Sequence, residues 1–225
     1  MPCAAAVTQT PITRMSRRRL REKLAAFLEE RNFAAVVDLA SQEQAVADVL
    51  LQFLYDPHDI LQWRALEGLG RVAEAHPDQV RKVITRLLWL LNEDSGSFGW
   101  GAAAALGEIG RQQLSLVRDV IPMFCGFLRE DFSREPMLWG IGRLAETHPE
   151  VLAEVVPDIM ACLTDANPQV KALSAWSLGR IGAREAREEL QGLAADNEAV
   201  LLYDQGDWRR TTVGELAREA LARLD

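Results

Sequence analysis

One short phrase returns along the chain at a nearly fixed interval. It reads Leu69-Gly70-Arg71-Val72-Ala73, Leu106-Gly107-Glu108-Ile109-Gly110, Ile141-Gly142-Arg143-Leu144-Ala145 and Leu178-Gly179-Arg180-Ile181-Gly182. A fifth, weaker copy is Val213-Gly214-Glu215-Leu216-Ala217. The glycines step by 37, 35, 37 and 35 residues. A period of that length means stacked helical hairpins, each burying its apolar face against the next. Aliphatic residues one before and two after each glycine face the same side of a helix. The glycine lies on another flank, where a missing Cβ lets a neighbouring helix come close. Glycine in a helix costs about 1 kcal/mol relative to alanine, so its recurrence points to close packing.

A second pattern agrees with the first. Taking Leu54, Leu91, Leu128 and Leu163 as the ends of the preceding helices, Val46, Val83, Val120 and Val155 stand eight residues earlier. Leu50, Leu87, Phe124 and Ile159 stand four earlier. This is one apolar stripe copied four times. Each unit therefore has an A helix and a glycine-bearing B helix. The expected units are about 16–41, 44–75, 78–112, 115–147, 150–182 and 184–224, in one domain spanning 16–225. Residues 1–15 read as an unstructured lead, and Ser16 caps the first helix.

The last unit departs from the pattern. Val200-Leu201-Leu202-Tyr203 and Trp208-Arg209-Arg210-Thr211-Thr212 flank Asp204-Gln205-Gly206-Asp207. Apolar and β-prone runs around a glycine-containing link predict a β-hairpin inserted at 199–212. Thr212 and Glu215 form a T-x-x-E box that starts a final helix over 213–224.

Two A helices carry proline in one register, Val120-Ile121-Pro122 and Val155-Val156-Pro157. One unit continues Leu163-Thr164-Asp165-Ala166-Asn167-Pro168-Gln169-Val170-Lys171, then Ala172 to Leu178-Gly179. This unit resembles a HEAT repeat. The alanine-rich B helices with Leu-Gly-x-Ile-Gly resemble its bacterial phycobilisome-lyase-type subclass. The resemblance covers about 44–182 and implies an all-α fold, a right-handed α-α superhelix, ending here in a small hairpin. Members of that family range from scaffolds to lyases and glycosylases, so it does not fix function.

The net charge of −8 is unevenly placed: residues 1–23 carry +5 and the remainder −13. So acidic a body repels phosphate backbones, which argues against nucleic acid and an alkylbase-glycosylase role. No run reaches the length of a membrane span. Three cysteines without CxxC spacing fit a reducing, cytoplasmic setting and no disulfide framework.

Chemistry-bearing constellations are sparse. The doubled Glu74-x-His76-Pro77 and Glu146-x-His148-Pro149 are two repeats apart, about 20 Å if repeats stack at the usual helix spacing. One metal cannot bridge that span. Some HEAT-like hydroxylases hold iron with adjacent His-Glu pairs, and here the acid precedes the histidine by two. A histidine closing a helix, followed by proline opening the next, explains the motif. No metal, cofactor or catalytic set is therefore expected.

Two rows remain for binding. Trp63 and Trp100 lie seven residues before their glycines, and Trp139 and Trp176 three before theirs. These positions are one turn apart, so the four rings share a flank of successive B helices. Arg71, Glu108, Arg143 and Arg180 follow the glycines and pair at i,i+3 as a salt ladder. A non-enzymatic adaptor is the expected function, with a protein or peptide segment in the concave B-helix groove. Its acids would sit on Arg143 and Arg180, and its apolar side chains against the tryptophan edges. The competing reading is a HEAT-like enzyme, bilin-lyase-like or glycosylase-like.

Overall fold

The computed structural model describes residues 15–56, 58–92 and 100–225, without the side chain of Trp100. Residues 1–14 of the lead expected over 1–15, and residues 93–99, lie outside the described residues. The helices are α1 (Arg17–Glu29), α2 (Phe33–Gln42), α3 (Val46–Leu50), α4 (Ile60–Ala75), α5 (Pro77–Asn92) and α6 (Trp100–Gln112). They continue as α7 (Phe124–Arg129), α8 (Asp131–Leu144), α9 (Val156–Ala161), α10 (Pro168–Ile181) and α11 (Arg187–Leu193). Strands β1 (Ala199–Asp204) and β2 (Asp207–Thr212) precede α12 (Val213–Leu224).

Local chemistry starts and stops these elements as the sequence predicts. Ser16 accepts from the Arg19 amide, Asp59 from Leu61 and Asn167 from Gln169, each capping a helix N-terminus. Thr212 and Glu215 form the full reciprocal capping box of α12. His76 ends α4 ahead of Pro77, as a helix-closing histidine should.

The A helices of two units are less regular than a simple stripe implies. Arg118–Met123 and Pro149–Val155 wind as 3-10 turns before α7 and α9. Pro122 and Pro157 have no N–H to give, so the α ladder is interrupted or begins beside them.

The B helices α2, α4, α6, α8, α10 and α12 stack side by side, each against the next. Between α6 and α8 the approach is so close that a Cβ on Gly107 would overlap the Gly140 backbone. The weak fifth copy of the phrase does not serve this purpose. Ala220 is the residue of α12 that meets Gly179, while Gly214 lies at the helix start against the Ala194 and Asp196 carbonyls. The insertion of the hairpin shifts the register of the final helix.

The stack is sharply curved. Trp63 on α4 and Trp139 on α8 belong to alternate B helices, yet their ring centroids are 5.0 Å apart. The intervening α6 carries only Gly101 and Ala102 to Ala105 over its first turns after Trp100. These residues fill little space, so the Trp63 and Trp139 rings meet over them.

Candidate functional site

The hairpin runs across the B helices, touching α10, α8 and α4 in turn. Strands β1 and β2 pair antiparallel, with Tyr203 opposite Trp208 and Asp204 opposite Asp207. Gln205 and Gly206 make the two-residue turn with φ of 51° and 85°. Positive φ at both positions is what a tight turn matching strand twist requires. The turn reaches the far end of the chain, where Arg64 donates from Nε to the Gly206 carbonyl at 3.2 Å. The same guanidinium donates to the Leu28 and Glu29 carbonyls at the end of α1.

The B helices hold β1 through its backbone. Gln169 donates from Nε2 to the Leu201 carbonyl at 2.6 Å and accepts from the Leu201 amide at 3.2 Å. Trp139 donates from Nε1 to the Tyr203 carbonyl at 2.8 Å. Around this carbonyl the rings cluster. Tyr203 stacks on Trp63 at 5.5 Å, and Trp208 meets both edge-on at 5.3 and 5.7 Å. Trp139 and Tyr203 are almost wholly buried, and Trp208 is half-buried. Edge-on and offset pairs of this kind stabilise beyond their area.

Next to the rings lies an ionic network. Arg143 donates from Nε to Glu108 at 2.7 Å, from Nη1 to Glu146 at 3.1 Å and from Nη2 to Glu67 at 3.3 Å. Arg111 joins Glu108 at 2.8 Å and Glu146 at 3.0 Å. Arg180 pairs with Glu146 and lies over the Trp176 ring at 4.0 Å. Asp204 of the hairpin approaches both Arg143 and Arg180, at 3.6 and 3.7 Å.

Burial and ion pairing compete here. Desolvation opposes the charge on Arg143, but Glu108, Glu146 and Glu67 outweigh it and hold the guanidinium firmly protonated. Burial raises the Glu67 carboxyl above its usual range, against the pull of Arg143. The Tyr203 hydroxyl is pushed up by burial and by Glu67, which it faces outside ideal hydrogen-bond geometry. Arg180 is lowered by burial, with Glu146 and Asp204 resisting.

The sequence-predicted residues therefore divide. Trp63, Trp139, Glu108, Arg143 and Arg180 come together under the hairpin. Trp176 lies apart from the ring cluster, against Gly142. Arg71 stays exposed with Glu74 at 3.9 Å. Trp100 lies in α6, its side chain outside the described residues. Whereas the ladder reads from sequence as solvated pairs, Glu108 is 0% and Arg143 4% exposed. Curvature and the hairpin together exclude water from them.

Sequence reasoning missed Tyr203, Asp204, Gln169 and Arg64. One signal existed. Val200-Leu201-Leu202-Tyr203 does not alternate, which is more apolar surface than one buried face needs, and Val200, Leu202 and Tyr203 are indeed buried while Leu201 is not. Among the described residues no three His, Cys, Asp or Glu side chains gather as a metal site.

Comparison with known proteins starts with the units themselves. Residues 131–181 match the HEAT-like repeat family. An engineered protein of known structure superposes with a TM-score of 0.57 at 18% identity, covering 95% of each chain. A designed armadillo repeat protein in complex with a (KR)4 peptide superposes at 0.55 and 16% identity, over 93% of this chain and 91% of that one. The fold is that of an armadillo/HEAT-type repeat solenoid. An uncharacterized protein of Archaeoglobus fulgidus is 25% identical to this solenoid over 182 residues, which are 79% of this chain and 96% of the relative. No helix among the described residues of the solenoid is long and apolar enough to cross a membrane.

Proposed function

We propose that this solenoid is a non-catalytic protein-binding scaffold whose concave B-helix face takes an extended partner segment. The observation that carries the reading is the way β1 is held. Gln169 engages both the amide and the carbonyl of Leu201, and Trp139 engages the Tyr203 carbonyl. These contacts read backbone and would serve any extended chain. A partner segment enters by replacing the hairpin, which in its absence keeps the aromatic and charged groups covered. The peptide held by the designed armadillo neighbour is consistent with this use of the fold. In this reading residues 16–225 act as one unit of the phycobilisome-lyase-type subclass, in the cytoplasm.

The test is cross-linking of partners captured from the native host. Tyr203→Ala loosens the hairpin while leaving Gln169 and Trp139 in place, and should increase capture, with cross-links on α4, α8 and α10. Trp89, 55% exposed on the A-helix side, supplies the control. Loss of capture in Trp89→Ser, with Tyr203→Ala and Arg180→Glu unchanged, would place the working surface on the convex side.

A further inference from the structure

A cavity of about 330 Å³ remains between the seated hairpin and helices α4, α8 and α10. Trp63, Trp208, Pro136, Leu173 and Leu201 supply apolar wall. Leu201 is 45% exposed, so the hairpin leaves an apolar side chain uncovered at this point. The polar groups in the wall include Gln62 and Glu135, with His58 at the rim. We infer that this cavity is a binding site for a small organic cation, an ammonium or guanidinium group carried on an apolar body.

The sign follows from what the polar groups lack. Gln62 is 2% exposed, and its enclosed Oε1 atom has no hydrogen-bond donor among the described residues. A buried acceptor left unmatched is costly, and native structures seldom leave one without a reason. Glu135 forms none of the ion pairs found among the described residues, and burial raises its carboxyl, with only His58 acting against that. Glu135, which an arriving cation would draw into its ionised form, lines the cavity without an ion pair, and the enclosed Gln62 carbonyl oxygen would gain a donor by a small side-chain shift. The ring faces of tryptophan are also negative, and attract a cation most strongly when it is desolvated. A ligand with N–H donors and positive charge satisfies all three at once. An anion would meet Glu135, and a neutral apolar ligand would leave both oxygens unmatched.

Size is compatible. A cavity of about 150 Å³ accommodates benzene, so this one has room for such a body with its charged head. The site is distinct from the partner-segment reading, because β1 and β2 form part of its wall. It exists only while the hairpin is seated, so an occupant holds the hairpin down by mass action.

The test uses the intact chain and calorimetric titration, with tryptophan fluorescence as a second readout. Benzylammonium and phenylguanidinium are the probes, and benzyl alcohol is the neutral control. The cations should bind at least about tenfold more tightly than the alcohol, as expected of a charge-assisted hydrogen bond. Glu135→Gln should remove that margin while circular dichroism shows the fold unchanged. Equal binding of alcohol and cation, unchanged affinity in Glu135→Gln, or no binding of any probe overturns the assignment. Nα-acetyl-lysine methylamide and its arginine counterpart separate the sources. Tighter binding of these than of benzylammonium supports the cation site with a polypeptide side chain as occupant; weaker binding supports it with a free amine.

Discussion

Between α6 and α8 backbone meets backbone at Gly107 and Gly140, and the contact spans one repeat of sequence. Between the hairpin and the helices, aromatic rings and single hydrogen bonds join residues 64 positions apart at Trp139–Tyr203 and 142 apart at Arg64–Gly206. The first kind of contact makes a solenoid a sum of neighbour interfaces. The second kind ties the last unit to the first two and crosses the neighbour rule. The stack thus sets where the wall is, and the hairpin sets whether the wall is open. A stack contact cannot be lost without damaging the units on both sides. A hairpin contact can be lost by local detachment, which limits its cost.

Arg143 belongs to both regions, so its removal should have the largest effect. Arg143→Met leaves Glu108 buried without its main partner and should cost about 3–5 kcal/mol in denaturant unfolding. Adding Glu108→Gln should recover part of that loss; no recovery would separate the network from the stack. Gly107→Ala tests the stack alone. Its methyl group overlaps backbone that has nowhere to go, and a loss of about 3 kcal/mol is expected in the same measurement. A melting curve like that of the parent would mean the helices are not in contact there.

Tyr203→Ala tests the hairpin alone. A fully buried ring in a stack would cost about 3–5 kcal/mol. Here the loss should be smaller, because detachment of 199–212 replaces global unfolding. Amide exchange should quicken in the hairpin while α6 and α8 keep their protection; equal loss in both would erase the distinction. Thr212→Ala, at the root of the hairpin, should cost about 0.5–2 kcal/mol. Its effect should appear in α12, and an unchanged melting temperature would rule out the cap.

The smallest effect concerns pH. Burial holds the Glu135 carboxyl above 4.5 in the folded chain. The folded state therefore disfavours its ionised form, and stability falls as pH rises from the unfolded value through the raised one. Glu135→Gln should melt above the parent at pH 7 and together with it below about pH 4. A parent that melts higher at pH 7 would mean that Glu135 has a cationic partner within the chain.

These two regions were not equally readable in sequence. The period, the caps and the span 199–212 depend on residues close in the chain, where spacing and propensity act directly. The location of the hairpin depends on curvature. That curvature comes from the small residues 101–105, which let Trp63 and Trp139 touch across a whole unit. Counting repeats places such residues about 20 Å apart, and the count ignores bending. An acid on Arg143 and Arg180, expected from a partner, is present, as is a side chain packed against the tryptophans. Both are the chain's own, Asp204 and Tyr203.

The hairpin is also late in time. It begins at residue 199 of 225, after every B helix except the last. A chain growing at about 5–20 residues per second needs roughly 1–3 s to add residues 199–212. For that interval the tryptophan rings and the arginines of α8 and α10 have no cover of their own making. Each newly made molecule thus passes through a window in which a binder already nearby meets an open wall, with no hairpin to displace.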